Sequence, residues 1–234
     1  MTANQIYESG KTIAGELTKI GINLNLAPVA DLASDQNPSY AMRCLGSDAD
    51  GVADLLDDFV SGMREGGLSV TLKTFPGIGN VSADVTESIA ENTDSLMTIR
   101  DTNFVPYASG IQAGADCVMV SNAAYSKLTV KKVPAFMSQD IVTKLLREEL
   151  GFDGIVMTSP LNDNVIENNY TNEFAVVEAV KAGCDLIVLP GNFKECYEAL
   201  ITAVEEGRID EKVINTSVRR ILQNKIQRGI LVLE

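Results

Sequence analysis

Five short apolar runs, each reached through a stretch of helical spacing, limit what this 234-residue chain can fold into. The first segment, Thr2 to Lys19, places Ile6, Ile13, Leu17 and Ile20 largely on one face, and Gly21 ends it. The run Ile22 to Val29 follows as an expected strand. The second helical segment, Asp50 to Glu65, turns Val52, Leu55, Leu56, Phe59 and Met63 inward and leads to the run Leu68 to Leu72. Lys73 stands at the carboxyl end of that run, before Pro76 and Gly77 break it. A third helical segment, Leu96 to Ala113, is expected to break near Pro106 and leads to the strand Asp116 to Ser121. Ser138 is expected to cap a helix from Gln139 to Leu150, ahead of the strand Ile155 to Thr158. The segment Phe174 to Ala182 leads to the last strand, Asp185 to Leu189. Helices from Lys194 to Glu206 and from Glu211 to Gln227 close the chain.

Short apolar strands joined by helices predict parallel pairing with crossover connections. No Gly-rich dinucleotide fingerprint follows any strand. Long polar loops, Asn80 to Ser95 and Asn122 to Met137, leave the strands at their carboxyl ends, where α/β proteins place ligands. The expected class is therefore α/β, a parallel (β/α) barrel lineage of the TIM-barrel type. It is incomplete, with about five βα units legible, and residues 1–234 read as a single domain.

Composition narrows the function classes. A net charge of −13 argues against nucleic acid or an anionic membrane as partner. No apolar run approaches the ~20 residues of a membrane span. Met1 to Lys11 is polar and reads as no signal peptide. Cys44, Cys117, Cys184 and Cys196 lack metal-binding spacing and read as reduced, which favours the cytoplasm; no metal or cofactor is expected. The chain contains no histidine. Imidazole acid/base chemistry, a Ser-His-Asp triad and histidine metal ligation are thereby excluded.

The stretch Lys73-Thr74-Phe75-Pro76-Gly77-Ile78-Gly79 resembles the Lys-His-Phe-Pro-Gly-His-Gly signature of glycoside hydrolase family 3, in the branch that cleaves β-linked N-acetylglucosamine. Thr74 and Ile78 replace its two histidines. The resemblance extends over Gly21 to Asp31, over Asn37 to Gly46, over Leu145 to Gly154 and over Ala182 to Pro190, in the family's order. It implies a barrel of eight strands in the complete family domain. It also implies that this chain opens at the helix before the fourth of them.

The resemblance assigns the nucleophile position to Ser159, where the family has Asp. It assigns the acid/base histidine position to Thr86, with Asp84 as the retained dyad partner, and a third family histidine to Asn122. A serine without a base is a poor nucleophile, and a threonine hydroxyl does not titrate near neutral pH. No catalytic position is intact. Arg43 and Lys73 match family residues that hydrogen-bond sugar hydroxyls, and Asp31 is a further candidate, although Asp31 in a loop also fits a turn cap.

Three readings follow: a pseudoenzyme that binds an amino sugar or a protein, a structural or interaction fragment of a larger protein, and an active glycosidase with relocated carboxylates, Asp163 or Glu87. An incomplete barrel would leave strand edges open, so a homodimer or association with the missing barrel strands is expected.

Overall fold

The structure, a computed structural model, describes residues 2–81 and 83–232. In chain order the elements begin with α1 (Ala3–Lys19), β1 (Leu24–Asn25), α2 (Pro38–Ala41), α3 (Ala49–Glu65) and β2 (Ser69–Phe75). They continue with β3 (Glu91–Asn92), α4 (Leu96–Asp101), α5 (Phe104–Gln112), β4 (Cys117–Val120) and β5 (Ala124–Tyr125). A 3-10 turn, Ala135–Met137, and a π-wound helix, Asp140–Glu149, precede β6 (Ile155–Thr158). The chain ends with α6 (Asn164–Glu167), α7 (Asn172–Ala182), α8 (Phe193–Glu205) and α9 (Glu211–Gln227).

The chain divides into two compact units. The first comprises residues 1–80, 96–119 and 222–234; the second comprises 81–95 and 120–221.

In the first unit, β1 pairs in parallel with β2, Leu24 opposite Ser69 and Asn25 opposite Val70. The core gathers Leu56, Val60, Met63, Leu72 and Tyr107, all without solvent exposure. Each such aliphatic side chain contributes about 1.5–3 kcal/mol on burial. Helices α1 and α3 approach backbone to backbone because Gly62 has no Cβ; one placed there would collide with the Tyr7 carbonyl. Thr2 and Gln5 form a reciprocal capping box that starts α1, and the Asp48 carboxylate accepts from the Gly51 N–H to start α3.

In the second unit, β3 and β5 pair in parallel, so the two loops expected to be irregular each contain a short strand. The Ser159 N–H donates to the Val120 carbonyl at 2.9 Å, which fixes the end of β6 beside Val120. Ile141, Val142 and Leu146 of the π-wound helix are buried, as are Val156 of β6 and Ala175 of α7.

Three expectations are corrected here, and the expected helix break is located. The strand Ile22 to Val29 shrinks to β1. The Ser69 N–H donates to the Asn23 carbonyl, but the next donor on β2, Thr71, reaches Ala27, so the partner strand bulges between them. The strand Asp185 to Leu189 is reduced to one parallel bridge, Met157 to Leu186. There the Val188 N–H donates to the Thr158 hydroxyl oxygen and not to a backbone carbonyl, and Leu189 turns to φ 46°. The third helical segment breaks at residues 102–103, near Pro106, which sits in the first turn of α5 where no backbone donor is required. Ser138 caps nothing with its side chain; its carbonyl accepts from the Ile141 and Val142 N–H groups.

Candidate functional site

The carboxyl end of β2 organises the candidates of the first unit. Phe75 stacks on Phe104 with centroids 5.5 Å apart and meets Tyr107 edge-on at 5.2 Å. The Gly77-Ile78-Gly79 turn folds back tightly: a Cβ on Gly79 would collide with the Leu32 carbonyl oxygen. Thus the aromatic core fixes the strand end, and glycine lets the following loop press against the segment that carries Asp31.

Asp31 is 1% exposed and accepts four hydrogen bonds. Its Oδ2 takes the Tyr40 hydroxyl at 2.6 Å, the Thr74 N–H at 3.0 Å and the Thr74 hydroxyl at 2.8 Å. Its Oδ1 takes the Tyr107 hydroxyl at 2.9 Å. Burial pushes its carboxyl above the usual aspartate range, and the hydrogen bonds from Tyr40, Thr74 and Tyr107 oppose this without cancelling it. Asp31 therefore joins three segments, its own loop, the α2 loop and the end of β2.

Lys73 and Arg43 stand around this knot. Lys73 is half-buried; burial, and next the Arg43 charge, hold its ammonium below the ordinary lysine range, while Asp31 acts in the opposite sense. Arg43 is exposed and its guanidinium lies over the Tyr40 ring, 5.1 Å from the centroid. The structure thus brings Asp31, Arg43 and Lys73 together. Tyr40 and Tyr107, which hold Asp31, were not singled out from sequence. Tyr40 lies in the loop already marked by Arg43, whereas nothing in the pattern of α5 distinguishes Tyr107 from a core residue.

The second unit gathers the remaining candidates. Asp84 is exposed and accepts from the Thr86 N–H at 2.8 Å and the Thr86 hydroxyl at 2.7 Å. Those two bonds hold its carboxyl below the usual range. The Thr86 carbonyl accepts from the Val165 N–H at 2.8 Å, and Glu87 accepts from Asn164 Nδ2 at 2.8 Å. The loop that carries Asp84, Thr86 and Glu87 is thereby tied to α6. Asn122 is 1% exposed and donates from Nδ2 to Asp163 at 2.8 Å. Burial pushes the Asp163 carboxyl up; the Asn122 bond opposes this, and the charges of Asp84 and Glu87 add to it. Ser159 is 6% exposed, with no base or carboxylate hydrogen-bonded to its hydroxyl among the described residues.

Chemically, the first unit offers two cations, hydroxyls and a fixed strand end, suited to holding a polar ligand. The second offers carboxylates and amides, and a serine without an activating group.

Comparison with known proteins gives a consistent lineage. The profile of the glycosyl hydrolase family 3 N terminal domain matches residues 1–224. A beta-hexosaminidase of Xylella fastidiosa (strain M23) is 32% identical over 183 residues, 78% of this chain and 54% of that protein. A beta-hexosaminidase of Stenotrophomonas maltophilia (strain K279a) is 32% identical over 219 residues, 94% of this chain and 62% of that protein. The structure of a family 3 beta-N-acetylglucosaminidase from Paenibacillus sp. str. FPU-7 superposes with a TM-score of 0.94 at 33% identity, over 100% of this chain and 46% of that one. The chain spans about half the length of the first curated relatives it matches (54% of the Xylella protein).

Proposed function

Because the chain belongs to glycosyl hydrolase family 3, with an α/β fold of TIM-barrel lineage, we propose that it is a member that binds an amino sugar without hydrolysing glycosides. The observation that carries this reading is Ser159: buried, at the position to which the resemblance assigns the nucleophile, with no base or carboxylate hydrogen-bonded to its hydroxyl among the described residues. A retaining glycosidase needs a nucleophile and a proton donor on either side of the bond. Thr86 supplies no titratable group at the second position, and the chain holds no histidine to take its place.

Binding rests on the candidates of the first unit. Lys73 and Arg43 match the family's sugar-contacting residues and are held near one another by the knot around Asp31. The relatives named above are a beta-N-acetylglucosaminidase and beta-hexosaminidases, which supports an amino sugar as the ligand class.

One observation favours a second reading. The Asp163 carboxyl is raised by burial and by two neighbouring carboxylates, a pattern that also serves a proton donor. In that reading Asp163 works with Glu87 or Asp84 as a relocated pair. An aryl β-N-acetylglucosaminide assay separates the two. The first reading expects release at the level of a buffer blank for the wild type and for Asp163→Asn alike. Turnover above blank that disappears in Asp163→Asn or Glu87→Gln would establish the second.

A further inference from the structure

In the second unit, Asn122 is 1% exposed, and its amide is used on one side only. Its Nδ2 donates to Asp163 Oδ2 at 2.8 Å, while its Oδ1 is buried and accepts from no donor among the described residues. Turning the amide over would set its oxygen against the Asp163 carboxylate, so that charge fixes which end is left over. A buried acceptor without a donor is unfavourable, and most such atoms are satisfied.

The groups gathered around this amide are acceptors as well. Asp163 stands at the N-cap position of α6, yet its carboxylate caps no N–H of that helix. Glu87 is brought to the same place. Its Oε2 accepts from Nδ2 of Asn164, the residue after Asp163, and the Thr86 carbonyl accepts from the Val165 N–H, each at 2.8 Å. Asp84 follows through its two bonds from Thr86. The charges that act on Asp163 are those of Asp84 and Glu87, both of its own sign. Asn122 is buried, Asp163 half-buried, and Asp84 and Glu87 exposed, so the cluster is closed at the amide and open at the carboxylates.

What such a cluster lacks is N–H or O–H donors and positive charge. A metal ion would supply the charge, but calcium takes about six to eight oxygens. Among the described residues no group of three or more acidic, cysteine or histidine side chains could hold such an ion. A primary ammonium asks for less. It carries one charge and three N–H donors, which match in number one oxygen each from Asp163, Glu87 and the Asn122 amide. A neutral hydroxyl would satisfy one acceptor and leave the like charges unopposed.

We infer that the loop of Asp84 to Glu87 and the start of α6 hold the primary ammonium of a small polar ligand, with Asp163 and Glu87 as its counter-charges and Asn122 Oδ1 as the buried acceptor. This stands apart from the binding proposed above, which rests on Lys73 and Arg43 in the first unit. Two sources share the chemistry, a sugar with a free amine and a simple alkanolamine.

NMR titration of the labelled chain near neutral pH tests it, with glucosamine, ethanolamine, N-acetylglucosamine and magnesium chloride as probes. Glucosamine should shift the amides of residues 84–87, 122 and 163–165. N-acetylglucosamine, whose amine is capped and uncharged, should move those amides with an affinity about tenfold weaker or not at all. Ethanolamine separates the two sources. An affinity equal to that of glucosamine supports recognition of the ammonium alone, and a weaker one supports an amino sugar. Asp163→Asn and Glu87→Gln should each cost glucosamine about tenfold in affinity, and Asn122→Leu, which removes the buried acceptor, about as much. Circular dichroism confirms that the variants are folded; Glu87 is exposed, so Glu87→Gln carries the test if Asp163→Asn does not fold. Three results overturn the inference: no shift at these amides with either amine, N-acetylglucosamine binding there as tightly as glucosamine, or magnesium moving them at lower concentration than the amines. Shifts confined to the amides around Lys73 and Arg43 also overturn it, and leave the sugar binding proposed above standing.

Discussion

At the scale of single residues, Asp31 shows how the binding candidates of the first unit are held. Three donors, the Tyr40 hydroxyl, the Thr74 N–H and the Tyr107 hydroxyl, depend on it inside the protein, with the Thr74 hydroxyl as a fourth. Asp31→Ala leaves them without an acceptor and should cost about 3 kcal/mol or more. Asp31→Asn keeps one oxygen for the Tyr40 and Thr74 donors and requires only that Tyr107 reverse its bond, so it should cost about 1 kcal/mol. The pH dependence has a definite sign. The folded-state carboxyl is raised, so the folded chain holds its proton more firmly than the unfolded chain. The stability that Asp31 contributes is present below the unfolded aspartate value, about 3.9, and is lost as pH rises through the folded value. Relative to Asp31→Asn, the wild type should therefore lose stability as pH increases across that window. Urea unfolding at a series of pH values checks both statements; a gap that widens with pH in favour of wild type would contradict them.

At the scale of elements, the long helices were legible because their apolar spacing is local. Their caps were not: Thr2 with Gln5 and Asp48 emerge as caps only in the fold, and Ser138, the one cap expected, makes no side-chain cap. Strand extent was less legible, because it depends on which donor the neighbouring chain meets. The bulge opposite Thr71 and the capture of the Val188 N–H by Thr158 are tertiary events with no sequence period. Likewise the resemblance named Lys73, Arg43, Ser159 and Thr86 as candidates, but the hydroxyl of Tyr107 on Asp31 and the amide of Asn122 on Asp163 require the fold. A buried charge at the foot of the expected last strand illustrates the same limit. Asp185 has a fully buried side chain and accepts from Arg147 at 2.5 Å, the Val156 N–H at 2.9 Å, Ser217 at 2.7 Å and Arg220 at 3.1 Å. Removing one partner of such a cluster strands the others, so Asp185→Ala should cost roughly 3–5 kcal/mol. Thermal unfolding measures this. A change within about 0.5 kcal/mol, the usual size for a surface substitution, would show that the cluster does not hold the fold.

At the scale of the whole molecule, the apolar surface left open bears on assembly. Ile20, Ile22 and Leu26 flank β1 at 73%, 39% and 38% exposure. In the second unit, Leu189, Phe193 and Tyr197 are exposed at 58%, 73% and 57%. At ~25 cal/mol per Å2, covering a few hundred Å2 of such surface stabilises an assembly by several kcal/mol. We propose that this surface is covered by association, most simply as a two-fold dimer. The charge of −13 opposes self-association, but salt near 0.15 M limits that repulsion to about 8 Å. Light scattering should therefore show a dimer fraction that rises with salt. A monomer at every salt concentration and protein concentration would refute the assembly.

The central claim, binding without turnover, is tested most directly by following a β-linked N-acetylglucosamine disaccharide with the purified chain by NMR. One sample reports protein resonances and sugar anomers together. The account predicts that the amides around Lys73 and Arg43 shift on addition of the sugar, while no new reducing-end signal grows beyond that of a protein-free control. Accumulation of free N-acetylglucosamine, or a spectrum unmoved by the sugar, would contradict it.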